Sequence, residues 1–243
     1  MKKLQAFLFL ILLSSCQITE TINLNSDGSG TIEYYNLRDE NSFAQLGRQN
    51  VQYEKFRDTI FTFQDYITKY HDTFVRFNKV DQALFTEHAN VKMHIKTDPI
   101  QMENFNRVSL DFKKIDAIPD VYESLILANS LKENYPINRR SYRIKYSFDG
   151  TVFKRVFTIT NQEKFEKDKK EMEDRERIYS KYKIVQSYTL KYYFPKRIKS
   201  VSNEKAILSS DKKSLTVEFQ ISDCYQNPEM TNLEVVLEQK DFQ

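Results

Sequence analysis

Tyr142-Arg143-Ile144-Lys145-Tyr146-Ser147-Phe148-Asp149-Gly150-Thr151-Val152-Phe153-Lys154-Arg155-Val156-Phe157 decides the fold. Apolar residues at 142, 144, 146 and 148 alternate with polar ones, the period of a strand with one buried face. Asp149-Gly150 then reads as a turn, because glycine supplies the positive φ that a tight hairpin needs. A two-residue Asp-Gly loop sets Phe148 opposite Thr151, Tyr146 opposite Phe153 and Tyr142 opposite Phe157.

The same grammar extends in both directions. Upstream, Val91, Met93 and Ile95 alternate with Lys92, His94 and Lys96, and Val108, Leu110 and Phe112 give a hairpin partner. Residues 19–24 and 31–36 flank the turn Asn25-Ser26-Asp27-Gly28-Ser29-Gly30, so the chain has a second clear hairpin near its start. Downstream, strands are expected at 184–194, 196–208, 214–221 and 233–237, with a turn at 210–213. Helices are expected at 39–57, 72–87 and 117–133, while 60–70 is ambiguous. Thr160 and Glu163 have capping-box spacing for a long helix over 162–183. Strands joined by short turns and interrupted by blocks of helix imply the α+β class: antiparallel sheets built from hairpins, with helices packed on one side. A shared Asp-Gly turn in each half is weak evidence for internal duplication.

Composition fits a soluble globular chain and not a disordered one. Of 243 residues, 40% are hydrophobic and 29% charged, with 18 Phe, 15 Tyr and no Trp. That aromatic content favours half-buried strand surfaces. Lys2 and Lys3 precede an unbroken apolar run at 7–13 (Phe-Leu-Phe-Leu-Ile-Leu-Leu), which is too short to span a bilayer and fits the core of a secretion signal. Without the first 15 residues, 35 basic residues face 34 acidic ones. So balanced a charge gives no general pull toward nucleic acid or acidic lipid.

The apolar run ends in Leu13-Ser14-Ser15-Cys16, which resembles the lipobox of bacterial lipoproteins. The resemblance implies cleavage between Ser15 and Cys16, a diacylglycerol thioether on Cys16, and attachment to a membrane through those acyl chains. The chain then divides into a signal peptide, 1–15, and an anchored α+β domain, 16–243, with 16–137 and 138–243 as candidate subdomains. Gln17, in place of the Asp that retains such proteins at the inner membrane, implies an outer-membrane lipoprotein facing the periplasm. The layout also resembles Bacteroidetes lipoproteins to which no activity is attached. That likeness rests on the Ser26-Asp27-Gly28-Ser29-Gly30 hairpin close behind Cys16 and on Tyr192-Tyr193-Phe194-Pro195 leading into Ile198-Lys199-Ser200-Val201-Ser202-Asn203. It implies an anchored domain and no catalytic motif.

Candidate chemistry is sparse. With Cys16 acylated, Cys224 is the one remaining cysteine and has no disulfide partner in the chain. It reads as a buried or half-buried small residue, because a thiol nucleophile needs a base nearby and no His follows residue 94. His88 and His94 lack a third ligand at zinc spacing, Glu87 pointing the other way, so no metal is expected. His71-Asp72 reads as a helix start with Asp72 as its cap. The stretch 23–28 mimics the start of a calcium loop, but the twelfth position from Asn23 is Tyr34, with Glu33 one early, so a hairpin turn is the better reading. Four glycines leave no phosphate-cradling loop, and neither Gly-x-Ser-x-Gly nor His-Glu-x-x-His is present.

The helix at 162–183 carries eight basic and seven acidic residues, with Phe165, Met172 and Tyr179 seven apart. It reads as a surface helix resting on the sheet by one narrow stripe. Arg139, Arg140, Arg143, Lys145, Lys154 and Arg155 read as ordinary exposed positions beside one hairpin. The functional expectation is a non-enzymatic binding or interaction domain of the cell envelope, without cofactor, that meets an envelope protein. The alternatives are a carrier or sensor of a small apolar ligand, lodged under helices among the Phe- and Tyr-rich strands, and, more weakly, an envelope hydrolase using His88, His94 or Cys224.

Overall fold

The computed structural model describes residues 14–40, 44, 54–182 and 185–239. Its class is α+β, as the hairpin pattern implies. The first hairpin pairs β1 (Ser14–Leu24) with β2 (Gly30–Asp39) in antiparallel register, Ile22 opposite Ile32. Its turn is built as expected. Gly28 has φ 81°, and the Asp27 carboxylate accepts from the N–H (3.0 Å) and hydroxyl (2.6 Å) of Ser29.

Next come β3 (Arg57–Thr62), α1 (Phe63–Lys69), α2 (His71–Phe74), α3 (Lys79–Glu87), β4 (Lys92–Asp98) and β5 (Glu103–Phe112). The helix expected at 39–57 falls largely outside the described residues, and Arg57 already begins a strand. The helix expected at 72–87 is two helices, because Asn78 is extended and caps α3, accepting from Asp81 N–H (2.9 Å). Asp72 lies inside α2, and its side chain makes no cap. The helix expected from 117 begins only at α4 (Ser124–Glu133). Pro119 forces Ile118 into an extended conformation (φ −77°, ψ 143°), so single 3-10 turns precede the helix.

The deciding stretch forms β6 (Tyr142–Phe148) and β7 (Val152–Ile159). Its register is two residues from the expected one: Phe148 faces Phe153, Tyr146 faces Arg155 and Ile144 faces Phe157. The two-residue loop is Gly150-Thr151, closed by Asp149 N–H to Val152 O. Gly150 (φ 95°) takes the first loop position, as a type II′ turn requires, and the Asp149 carboxylate accepts from the N–H groups of Thr151 (2.9 Å) and Val152 (2.7 Å). A shift of two leaves every side chain on its expected face.

The long helix α5 (Gln162–Lys181) is capped by Asn161, which accepts from Lys164 N–H (2.9 Å). The cap falls one residue after Thr160, the expected one; the N–H groups of Thr160 and Asn161 both donate to Ser141 O, and the Asn161 side chain is the one that reaches Lys164 N–H. The chain closes with β8 (Val185–Tyr193), β9 (Ile198–Val201), β10 (Ile207–Leu208), β11 (Ser214–Gln220), α6 (Ile221–Gln226) and β12 (Leu233–Leu237).

The strands form an eight-stranded sheet, β10-β11-β8-β1-β2-β5-β4-β3, and a four-stranded sheet, β6-β7-β12-β9. The larger sheet thus takes strands from both sides of residue 137. β1 pairs β8 in parallel, with Ile18 beside Tyr188 and Ile22 beside Tyr192. Ile22, Ile32, Leu190, Tyr192 and Val217 of the large sheet share one core with Phe153, Leu233 and Val235 of the small one. Toward β3–β5 the same core continues into the helices through Phe63, Phe85, Leu127 and Leu131.

Candidate functional site

Two side chains break the apolar face of their strands. Glu20 lies between Ile18 and Ile22 in β1, and Arg155 lies between Phe153 and Phe157 in β7. Both point into the layer between the sheets, where Glu20 is 0% and Arg155 1% exposed. Burying a charge is costly unless it is paired and hydrogen-bonded, and here both conditions are met. Glu20 Oε1 accepts from the hydroxyls of Tyr146 (2.8 Å) and Tyr192, and Oε2 from those of Tyr188 (2.5 Å) and Tyr122. Arg155 donates to both Glu20 oxygens at 3.4 Å, to Tyr188 Oη at 2.7 Å, and to the carbonyl and hydroxyl of Thr231 at 2.9 and 3.0 Å.

Burial opposes the charge on Arg155, but the Glu20 carboxylate and the surrounding tyrosines more than offset it and hold its pKa above the usual range. Burial, reinforced by Glu20, raises the hydroxyls of Tyr146 and Tyr192 well above theirs. Tyr188 is raised by burial and Glu20 against the pull of Arg155.

Beside this polar centre lies a cavity of about 380 Å³. Ile18, Tyr34 and Tyr188 of the large sheet form one wall, and Tyr142, Ile144 and Phe157 of the small sheet the opposite one. Ile126 of α4, Met172 of α5 and Ile221, Cys224 and Tyr225 of α6 complete it. Tyr142 stacks on Phe157 (4.4 Å between ring centres), and Phe165 of α5 packs against Phe157 and Tyr225, each at 6.0 Å. Arg140 lies over the rings of Tyr142 (3.9 Å) and Tyr122 (4.8 Å) and pairs with Asp120 at 3.3 Å. Burial raises Asp120 to about 6, with Arg140 pulling against it. Arg175 of α5 is exposed at the rim and has no ion pair among the described residues.

His88, His94 and Cys224, the residues a hydrolase would have used, do not converge. His88 Nδ1 shares a hydrogen bond with Ser124 Oγ (2.9 Å), and burial lowers the imidazole pKa to about 4. His94 Nε2 is bound to Asp58 (2.7 Å) on the neighbouring strand. Cys224 is half-buried, as expected, and lines the cavity. Burial raises its thiol to about 12, far from a reactive thiolate. Among the described residues, no group of three or more His, Cys, Asp or Glu side chains is placed to hold a metal ion. Cys16 is paired in β1 with Arg38 of β2 and Gln186 of β8.

The basic hairpin is a correction. Lys145 and Lys154 are exposed, but Arg155 and Arg140 turn inward because their aromatic and acidic partners are there. Glu20 drew no attention in the sequence, although its even spacing from Ile18, Ile22 and Leu24 was a usable signal. The same holds for Arg155 between Phe153 and Phe157. The seven-residue series of α5 is used within the molecule: Phe165 is buried and Met172 faces the cavity.

No protein-family model and no curated protein matches the sequence. Among solved structures, the folded domain of the LppM protein of Mycobacterium tuberculosis is similar over 94% of this chain and 92% of that one, at 7% identity and a TM-score of 0.37. A likeness of that size carries no inference about activity.

Proposed function

We propose that the chain is a non-enzymatic binding protein of the cell envelope, anchored through acyl chains on Cys16, that carries or senses a small, largely apolar ligand between its two sheets. The observation that carries this reading is the aromatic-walled cavity of about 380 Å³. Binding sites for small molecules are concave, mostly apolar, have a few placed polar groups and measure ~300–1,000 Å³. The anchor is supported by Lys2 and Lys3, the apolar run at 7–13 and the small residues before Cys16. A hydrolase is disfavoured by the dispersal of His88, His94 and Cys224, the first kept neutral by burial and the last kept a thiol. An outer-membrane position facing the periplasm remains part of the proposal through Gln17.

Native mass spectrometry of the protein, gently extracted from its own membrane, tests this. The expected mass is that of the chain cut before Cys16, plus acyl chains, plus a small molecule that is absent from the Ile126→Trp variant. An acylated chain with an empty cavity, or one carrying only a protein partner, would overturn the ligand reading. An uncut chain would overturn the anchor.

A further inference from the structure

We infer that the occupant of this cavity is a single-chain amphiphile with a carboxylate head, drawn from the bilayer that holds Cys16. The inference rests on the ligand and anchor readings above and adds the ligand's class and source.

The first argument is position. Cys16, the first residue after cleavage, is not on a linker but in register within the large sheet, beside Gln186. Gln186 lines the cavity, as do Ile18, two residues along β1, and Asn36, which pairs with Ile18. At ~3.3 Å per strand residue, Ile18 stands only ~7 Å from Cys16. The polar headgroup layer of a bilayer is of similar depth, about 5–7 Å on each side of the hydrocarbon. Acylation of Cys16 therefore brings this end of the cavity to the height of the headgroups, where a chain can pass without crossing water.

The second argument is chemistry. The described polar side chains that line the cavity include Asn36, Gln186 and three arginines, and no carboxylate is among them. Arg155 is matched by Glu20 and Arg140 by Asp120, which among the described residues lining the cavity leaves the exposed Arg175 as the cation available to an acidic head. In the adjoining groove, Asp168 already accepts the Ser141 hydroxyl (2.6 Å), while Glu171 is exposed on the same helix. The third argument is size: about 380 Å³ is at the low end for ligand sites, which suits one acyl chain.

The test uses the acylated protein, freed of bound lipid and inserted into phosphatidylcholine vesicles. The probe, 11-dansylaminoundecanoic acid, is placed either in the same vesicles or in separate ones. Saturable binding is expected. It should be fast from the shared bilayer and, from separate vesicles, limited by desorption of the probe into water. Arg175→Gln should weaken it about tenfold, Ile18→Trp should abolish it, and the uncharged dansyl alcohol of equal length should bind about tenfold more weakly. Equal uptake rates in the two arrangements would overturn the bilayer source. Equal binding of acid and alcohol, with Arg175→Gln unaffected, would overturn the acidic head while leaving a ligand carrier intact. Binding of neither probe, with the natural small mass still present after gentle extraction, would overturn the amphiphile but not the carrier. Binding of neither probe with no natural small mass would remove the carrier reading itself.

Discussion

The layer between the two sheets is filled at one end and hollow at the other. At the filled end, Phe153 meets Tyr192 at 5.3 Å and Phe194 at 5.5 Å, both nearly edge-on, with Ile198, Val235 and Leu237 buried around them. At the hollow end, Tyr34, Tyr122, Tyr142 and Phe157 stand around open space. Both ends use strands β7 and β8, and both are aromatic, so apolar bulk does not distinguish them. What separates them is the Glu20–Arg155 pair with its tyrosines. Beyond it, Arg140 stacks on Tyr122 and Tyr142 and props the wall. One end is held by ring packing, the other by a frame of polar bonds that leaves room inside.

The largest effect should come from breaking that frame at its centre. Arg155→Met leaves Glu20 buried without its cation and should cost about 3–5 kcal/mol in urea unfolding. The double variant Glu20→Leu with Arg155→Met should recover most of the loss, because two apolar residues tolerate burial where one uncompensated charge does not. If the double variant is as unstable as the single one, the pair is not the element dividing the layer.

The second test contrasts the ends directly. Phe153→Ala removes a fully buried ring from tight packing and should cost about 3 kcal/mol or more. Phe157→Ala removes a half-buried ring that already borders a void, so fewer contacts are lost and the destabilisation should be markedly smaller. Similar unfolding midpoints for the two variants would mean that the hollow end is as tightly packed as the other.

The third test is a pH profile on the helix side of the layer, where His88 and Asp120 border a groove next to Tyr146. The folded pKa of His88, about 4, lies below its ordinary 6.5. Its contribution is therefore complete above 6.5 and lost as pH falls toward 4. At about 1.4 kcal/mol per unit, this amounts to about 3 kcal/mol. Asp120 acts the other way: its raised pKa, about 6, favours the folded state as pH falls from 6 toward 3.8. His88→Gln should remove the first effect and spare the second, so the variant should lose less stability than the wild type between pH 7 and pH 4. Parallel profiles would mean that His88 titrates normally.

These contrasts also show what the sequence could reveal. Alternation at 142–148, and at 91–96 with 107–113, was enough to place the hairpins and the buried face of each strand, because period and burial are the same fact read twice. The shift of the β6–β7 loop was not legible, since it depends on the Asp149 carboxylate capturing two N–H groups instead of entering the loop. The parallel pairing of β1 with β8 joins residues more than 160 apart, and no local pattern encodes it. Of the site, the aromatic walls were visible as composition. Glu20 and Arg155 were visible as breaks in alternation, but their partnership came only from stacking the two sheets.

The smallest expected effect concerns the helix that closes the hollow end. Asn161 is its N-cap, Phe165 is its one buried residue, and the rest of its 20 residues are half-buried or exposed. Asn161→Ala should cost about 1 kcal/mol, typical of a lost cap. Because α5 contributes Met172 and Arg175 to the cavity, the loss should appear first as faster amide exchange along α5 and weaker ligand retention. Amides of β7, β8 and β12 at the filled end should exchange as before, since a helix with so small a share in the core can loosen without unfolding the sheets. If exchange rises equally at both ends, α5 is part of the same cooperative unit as the core. The hollow end would then owe its shape to the whole fold and not to a separable cover.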